Sequence, residues 1–123
     1  MSRIVHGLLG AAAIVLLVGS GAATAADDEA PAGTAASGQR TFDAVGCYQC
    51  HGYVGQGSRS SGPRLGPEPM LPWAAFSTQV RNPHGEMPPY GTKILPDQAL
   101  ADIYAYLRSL PQPPDARSLP LLN

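Results

Sequence analysis

Charge is scarce in this chain of 123 residues: only 14% are Asp, Glu, Lys or Arg, and the formal net charge is −1. No basic stripe is available to neutralise phosphates, which excludes nucleic acid as a partner class. No internal repeat is visible, so a solenoid is excluded, and the length fits a single domain. No stretch shows the period-two alternation of a strand over a convincing length. Cysteine is limited to two residues, too few for a disulfide framework. No Ser/His/Asp set or pair of carboxylates suggests a hydrolytic centre. What is abundant is backbone punctuation: 13 prolines and 14 glycines. That composition favours short helices joined by shaped loops over a bundle of long helices.

The N-terminus reads as a targeting segment. Arg3 supplies a positive start, Leu8 to Val18 is an apolar run of eleven residues, and Ala23-Thr24-Ala25 fits a small-x-small cleavage site. The expected division is a signal peptide over 1–26, a flexible lead-in over 27–36, a folded domain over 37–110 and a Pro-rich tail over 111–123. The alternative is an uncleaved anchor, although the run is shorter than the ~20 apolar residues that span a bilayer. Either way the folded part is expected to be exported, periplasmic or tethered facing the periplasm, in an oxidising compartment. A domain this small is marginal without help from a cofactor, a metal or a cross-link.

Within the domain, Ser37 to Val45 reads as a short helix capped by Ser37 and ended by Gly46. Residues 52–72, rich in Gly, Ser and Pro, read as loop. Trp73 to Arg81 carries Trp73, Phe76 and Val80 at helical spacing. Pro83 ends that element, and Pro88-Pro89 stiffens the loop after it. Asp97 to Leu110 is the clearest helix: Leu100, Ile103, Tyr106 or Leu107, and Leu110 form an apolar stripe, and Pro111 stops it. With four prolines in its thirteen residues, the tail is expected to lie extended. The fold class is all-α.

The chemistry concentrates in Cys47-Tyr48-Gln49-Cys50-His51, a Cys-x-x-Cys-His haem-attachment signal. Two intervening residues let both thiols reach the two vinyl groups on one porphyrin edge, and the adjacent imidazole faces the iron. Three competing readings are a plain disulfide, a thioredoxin-like pair and half a zinc site. The second lacks a βαβ context, and the third lacks a second Cys pair or a spaced His pair.

From Ser37 to Leu110 the sequence resembles the class I c-type cytochromes with a single haem. Gly38-x-x-x-Phe42 precedes the haem motif, Gly62-Pro63-Arg64-Leu65 is similar to the family's G-P-x-L loop, and Met87-Pro88-Pro89-Tyr90 to its sixth-ligand loop. Asp97 to Leu110 is similar to its C-terminal helix. The resemblance implies a small cytochrome c fold wrapped around one covalent haem c. It implies attachment at Cys47 and Cys50, iron ligation by His51 and Met87, and a Pro63 carbonyl accepting from the His51 Nδ1–H. Met70 is the rival thioether. Gly38 and Phe42 would meet Ile103 and Tyr106 where the first and last helices cross. Trp73 and Tyr90 are expected in packing, His84 in solvent, and Arg64 and Arg81 either in solvent or beside haem propionates. The family's helix often opens on Ser where this chain has Pro96, so Asp97 or the Leu95 backbone must manage that helix start.

The implied function is one-electron transfer, as a free carrier or as a subunit of an oxidoreductase complex. Redox partners, a dehydrogenase or an oxidase, would be met by transient contact, and a membrane would be involved only if the N-terminal segment is retained. Two other classes stand beside it: a haem enzyme or sensor whose iron has a labile position, and a thiol module without haem.

Overall fold

The computed structural model describes residues 29–67 and 70–122; the expected signal segment lies outside the described residues. Four helices follow one another: α1 (Ala35–Ala44), α2 (Tyr48–His51), α3 (Trp73–Arg81) and α4 (Asp97–Ser109). Short 3₁₀ turns at Ala116–Ser118 and Pro120–Leu122 close the tail, and no strand occurs among the described residues. The all-α class read from the sequence is the observed one.

The most extensive helix contact is that of α1 with α4. It forms because α1 buries only Gly38 and Phe42, one turn apart. A Cβ on Gly38 would run into the backbone of Asp102 and Ile103, so only glycine permits this approach. Phe42, fully buried, then meets Tyr106 edge to face at 5.7 Å between ring centroids.

α4 buries Leu100, Ala101, Ile103, Tyr104, Tyr106 and Leu107. The stripe is wider than the expected one because the helix is packed on two sides. Tyr106 and Leu107 are both buried, and Tyr104 turns to Trp73 and Phe76 of α3 at 5.4 and 5.0 Å. Both tyrosine hydroxyls donate to loop carbonyls, Tyr104 to Leu71 at 3.0 Å and Tyr106 to Tyr53 at 3.1 Å. The long loop over 52–72 is thereby tied to α4 at two points. Burial raises the Tyr106 pKa above its ordinary value, with Asp43 adding to the effect.

The start of α1 and the form of the tail differ from expectation, while α4 begins at Asp97 as expected. α1 starts at Ala35 with Thr34 at the N-cap position, rather than at Ser37. Tertiary contacts account for the earlier start: the Thr34 N–H donates to the Asp102 carboxylate at 2.8 Å, and Gln98 donates to the Ala32 carbonyl at 2.8 Å. Residues 32–34 of the expected lead-in are therefore bonded to α4. In the tail, Asp115 accepts from the Arg117 N–H and Ser118 donates back to the Asp115 carbonyl, which curls 116–118 out of the extended form. At α4, Pro96 stands at the N-cap without a side-chain cap, and the Asp97 carboxylate is engaged by Arg81 instead. α3 starts and ends at the expected residues, and Gly46 follows α1 with φ +82°.

Gly38→Ala should destabilise the domain by about 3 kcal/mol in denaturant unfolding, because backbone rather than a flexible side chain blocks the new methyl. Gln39→Ala, exposed on the same helix, should stay within about 0.5 kcal/mol.

Candidate functional site

A cleft of about 1020 Å³ opens against the core. Its apolar lining includes Phe42 of α1, Phe76 and Val80 of α3, and Leu100, Ile103 and Leu107 of α4. The helix crossing thus supplies the wall, and loops supply the polar groups. Cys47, Cys50, His51, Pro63, Met70 and Met87 all line this one cleft.

Cys47 to His51 form a single helical turn. The His51 N–H donates to the Cys47 carbonyl at 3.0 Å, and Gly52 follows with φ +76° to turn the chain away. The two thiols are free rather than joined as a disulfide. Cys50 is exposed and Cys47 half-buried; burial pushes the Cys47 thiol up to about 11, against a lowering backbone hydrogen bond.

His51 is buried, and its Nδ1 lies 2.8 Å from the Pro63 carbonyl. A carbonyl only accepts, so Nδ1 carries the proton, and in the neutral ring the lone pair then belongs to Nε2. The ring is held in the tautomer that a metal ligand requires, and its partner is the residue the sequence singled out. Around it the 52–66 loop is braced by backbone bonds from Gly57 to the His51 carbonyl and from Leu65 to the Gly55 carbonyl, both 2.8 Å. Ser61 adds a bond of 2.6 Å from its hydroxyl to the Cys50 carbonyl.

Met87 is half-buried and packs against the core, as does Met70. Its loop is closed by Arg81, which donates from Nη1 to the carbonyls of Tyr90 and Leu95, each at 2.7 Å. The other guanidinium nitrogen meets Asp97 at 2.6 Å. The Tyr90 N–H donates to the Val80 carbonyl at 3.0 Å, and the Tyr90 hydroxyl to the Val45 carbonyl at 3.3 Å. Burial, then the nearby Cys47 and Cys50, raise the Tyr90 pKa. Arg81 is thus a clasp between α3, the Met87 loop and α4, and its side chain is only 18% exposed. The expectation that it lies in solvent does not hold, and its Nη1 and Nη2 are bonded to these protein partners. Arg64 donates from Nε to the Gly66 carbonyl and reaches the cleft, and His84 is exposed at its rim.

Two roles here were not foreseen from the sequence. Arg81 looked like a surface charge, although its place at the end of an amphipathic helix just before Pro83 could have suggested a cap for the following loop. Gln79 lies on the cleft three residues after buried Phe76, with its amide Nε2 4.0 Å from the Met87 Sδ.

The donor set fits a haem: two thiols one turn apart, a buried imidazole with a free Nε2, thioethers, and apolar walls. Among the described residues no cluster of three or more His, Cys, Asp or Glu could hold a metal ion on its own, and no helix is long and apolar enough to cross a membrane. Residues 33–107 match the family model described as cytochrome C oxidase, cbb3-type, subunit III. No curated protein and no solved structure matches the chain.

Arg81→Met should cost about 3 kcal/mol of stability, because two carbonyls of low exposure lose a charged donor. Asp97→Asn should cost under about 1 kcal/mol, since that carboxylate is 81% exposed. Denaturant unfolding of the two variants checks the order.

Proposed function

The chain belongs to the cbb3-type cytochrome c oxidase subunit III family and is a class I c-type cytochrome; we propose that it is a one-electron carrier with a single haem bonded to Cys47 and Cys50 and its iron held by His51 and Met87. The observation that carries this reading is the convergence of both thiols, the imidazole and the thioether on one apolar cleft. The haem supplies a reversible one-electron change at iron. Everything else is work for the chain's own side chains. Cys47 and Cys50 hold the group covalently, so a small domain cannot lose it by dilution. His51, with Nδ1–H on the Pro63 carbonyl at 2.8 Å, offers Nε2 to the iron with increased basicity. The Met87 thioether is a soft ligand that raises the reduction potential. Phe42, Phe76, Leu100 and Leu107 line the cleft and would present apolar surface to a bound haem. With both His51 and Met87 bound, the iron would have no open position, so the site would exchange electrons rather than transform substrates.

Met87 is preferred over Met70 for three reasons. Its loop is clasped by Arg81, Pro88-Pro89 restrict its backbone, and Gln79 approaches its sulfur. Restricted movement there lowers the reorganisation that accompanies a change of charge at iron.

The working place proposed for the domain is outside the cytoplasm, delivered by residues 1–26, with a dehydrogenase or a terminal oxidase complex as redox partner. Electron-transfer contacts are small, below about 1,200 Å². Tyr53 and Val54, 68% and 52% exposed, lie two and three residues past His51 and offer an apolar patch near the haem motif for such a contact.

Met87→Ala should lower the reduction potential, remove the far-red ferric absorption band characteristic of Met–iron ligation, and admit added ligands, while covalent haem is retained. Met70→Ala should keep the band and nearly the same potential. Loss of the band in Met70→Ala alone would move the ligand to Met70; absence of the band from the parent protein would return the site to a haem enzyme or sensor.

A further inference from the structure

The peptide that joins Cys50 to His51 is gripped at both ends. Its N–H, on His51, donates to the Cys47 carbonyl at 3.0 Å, and its carbonyl, on Cys50, accepts from the Ser61 hydroxyl at 2.6 Å. α2 stops at His51, so the Cys50 carbonyl is an acceptor left over at a helix end. The Val54 N–H that a longer helix would send to it goes to the Gln56 Oε1 instead, at 3.1 Å. A carbonyl only accepts, so the Ser61 proton lies on the bond to Cys50, and the Ser58 hydroxyl, 2.7 Å from the Ser61 oxygen, must donate between the two. Ser58 Oγ accepts in turn from the Ser60 and Ser61 N–H groups at 3.3 and 3.2 Å, and the Ser58 N–H donates to the Gly62 carbonyl at 2.8 Å. Residues 58–62 thus form a closed turn that presents the Ser61 hydroxyl to the haem motif. Gly62 lies against the imidazole: a Cβ there would stand 2.9 Å from the His51 Nδ1 and 3.0 Å from its Cε1. Pro63, whose carbonyl meets Nδ1 at 2.8 Å, comes only two residues after the clasp.

We propose that Ser61 is a positioning residue for the iron-binding imidazole: its hydroxyl, directed by Ser58, pins the 58–63 turn to the Cys50 carbonyl and so holds the Pro63 carbonyl on the Nδ1–H of His51. The inference rests on His51 being an iron ligand in the loaded protein. The Pro63 carbonyl fixes the tautomer, and the Ser61 clasp fixes how persistently that contact is made and with it the basicity of the ligand. The hydroxyl therefore acts through two backbone carbonyls and touches neither the imidazole nor the metal site directly.

The test uses the intact ferrous holoprotein. Exchange of the His51 Nδ1 proton with deuterated solvent, followed by NMR, reports opening of the contact to Pro63. Exchange of the Leu107 amide, in the fully buried part of α4, reports opening of the domain as a whole. Ser61→Ala should speed the Nδ1 exchange about threefold to tenfold, as expected for losing one modest hydrogen bond, and leave the Leu107 rate within about twofold. Its reduction potential should rise, because a less basic imidazole stabilises ferric iron less. Ser61→Thr keeps the hydroxyl and should restore both properties. Ser118→Ala removes a similar hydroxyl-to-carbonyl bond of 2.7 Å in the tail and should match the parent. Parent-like Nδ1 exchange in Ser61→Ala would overturn the proposal, and so would equal acceleration of the Nδ1 and Leu107 protons, which marks a loss of stability alone. Should the parent's His51 ring protons lack the ring-current displacement of an imidazole bound over a haem, the ligand reading itself has failed and this inference falls with it. Should they show it while Ser61→Ala behaves as the parent, only the inference fails.

Discussion

The close approach of α1 to α4 at Gly38 is the constraint on which the rest of this molecule depends. With no side chain at Gly38, the helix backbone can come against the backbone of Asp102 and Ile103. That brings Phe42 against Tyr106 and sets Phe42, Leu100, Ile103 and Leu107 side by side. Those same residues wall the cleft. Core and binding surface are therefore one structure, which suits a domain too small to afford both separately. A larger residue at Gly38 would part the helices and widen the cleft together.

From that wall the chain hangs two loops, each secured by a different device. The loop after α2 is bound through its backbone and through the hydroxyls of Tyr104 and Tyr106, and it delivers the Pro63 carbonyl to His51. The loop before α4 is held by one guanidinium that reaches two carbonyls and a carboxylate. The division suits their duties. A carbonyl that fixes a tautomer needs a rigid position, and a thioether in the proposed role of iron ligand would need a loop that resists movement when the charge at iron changes. Arginine suits the second task because its planar fork serves several acceptors at once, which a lysine ammonium at the same place would do with less geometric control.

Much of this was legible in the residues. The helices at 73–81 and 97–109 follow from apolar spacing bounded by proline, and the haem motif announces itself by its pattern. The partnership of His51 with Pro63 was implied by the resemblance to the class I c-type cytochromes, and the 2.8 Å contact matches it. What the sequence concealed was tertiary. The start of α1 shifted because Asp102, 68 residues away, accepts from Thr34. Tyr104 joined the buried stripe because α3 packs on a side that helical periodicity alone does not reveal. Arg81 and Gln79 carried no pattern, since a charged or amide side chain at a helix end usually belongs to solvent, and only the returning loop gave each a partner. Met87 was implied over Met70 by the resemblance, and both thioethers line the same cleft.

The central claim is that this cleft holds one haem through two thioether bonds. Intact-mass measurement of the denatured holoprotein, after extraction with acidic acetone, tests it most directly. The account predicts a mass equal to the polypeptide plus one haem, with no porphyrin in the extract, and the loss of that adduct in the Cys47→Ala/Cys50→Ala double variant. A mass equal to the bare polypeptide, or haem recovered in the acetone layer, would contradict it.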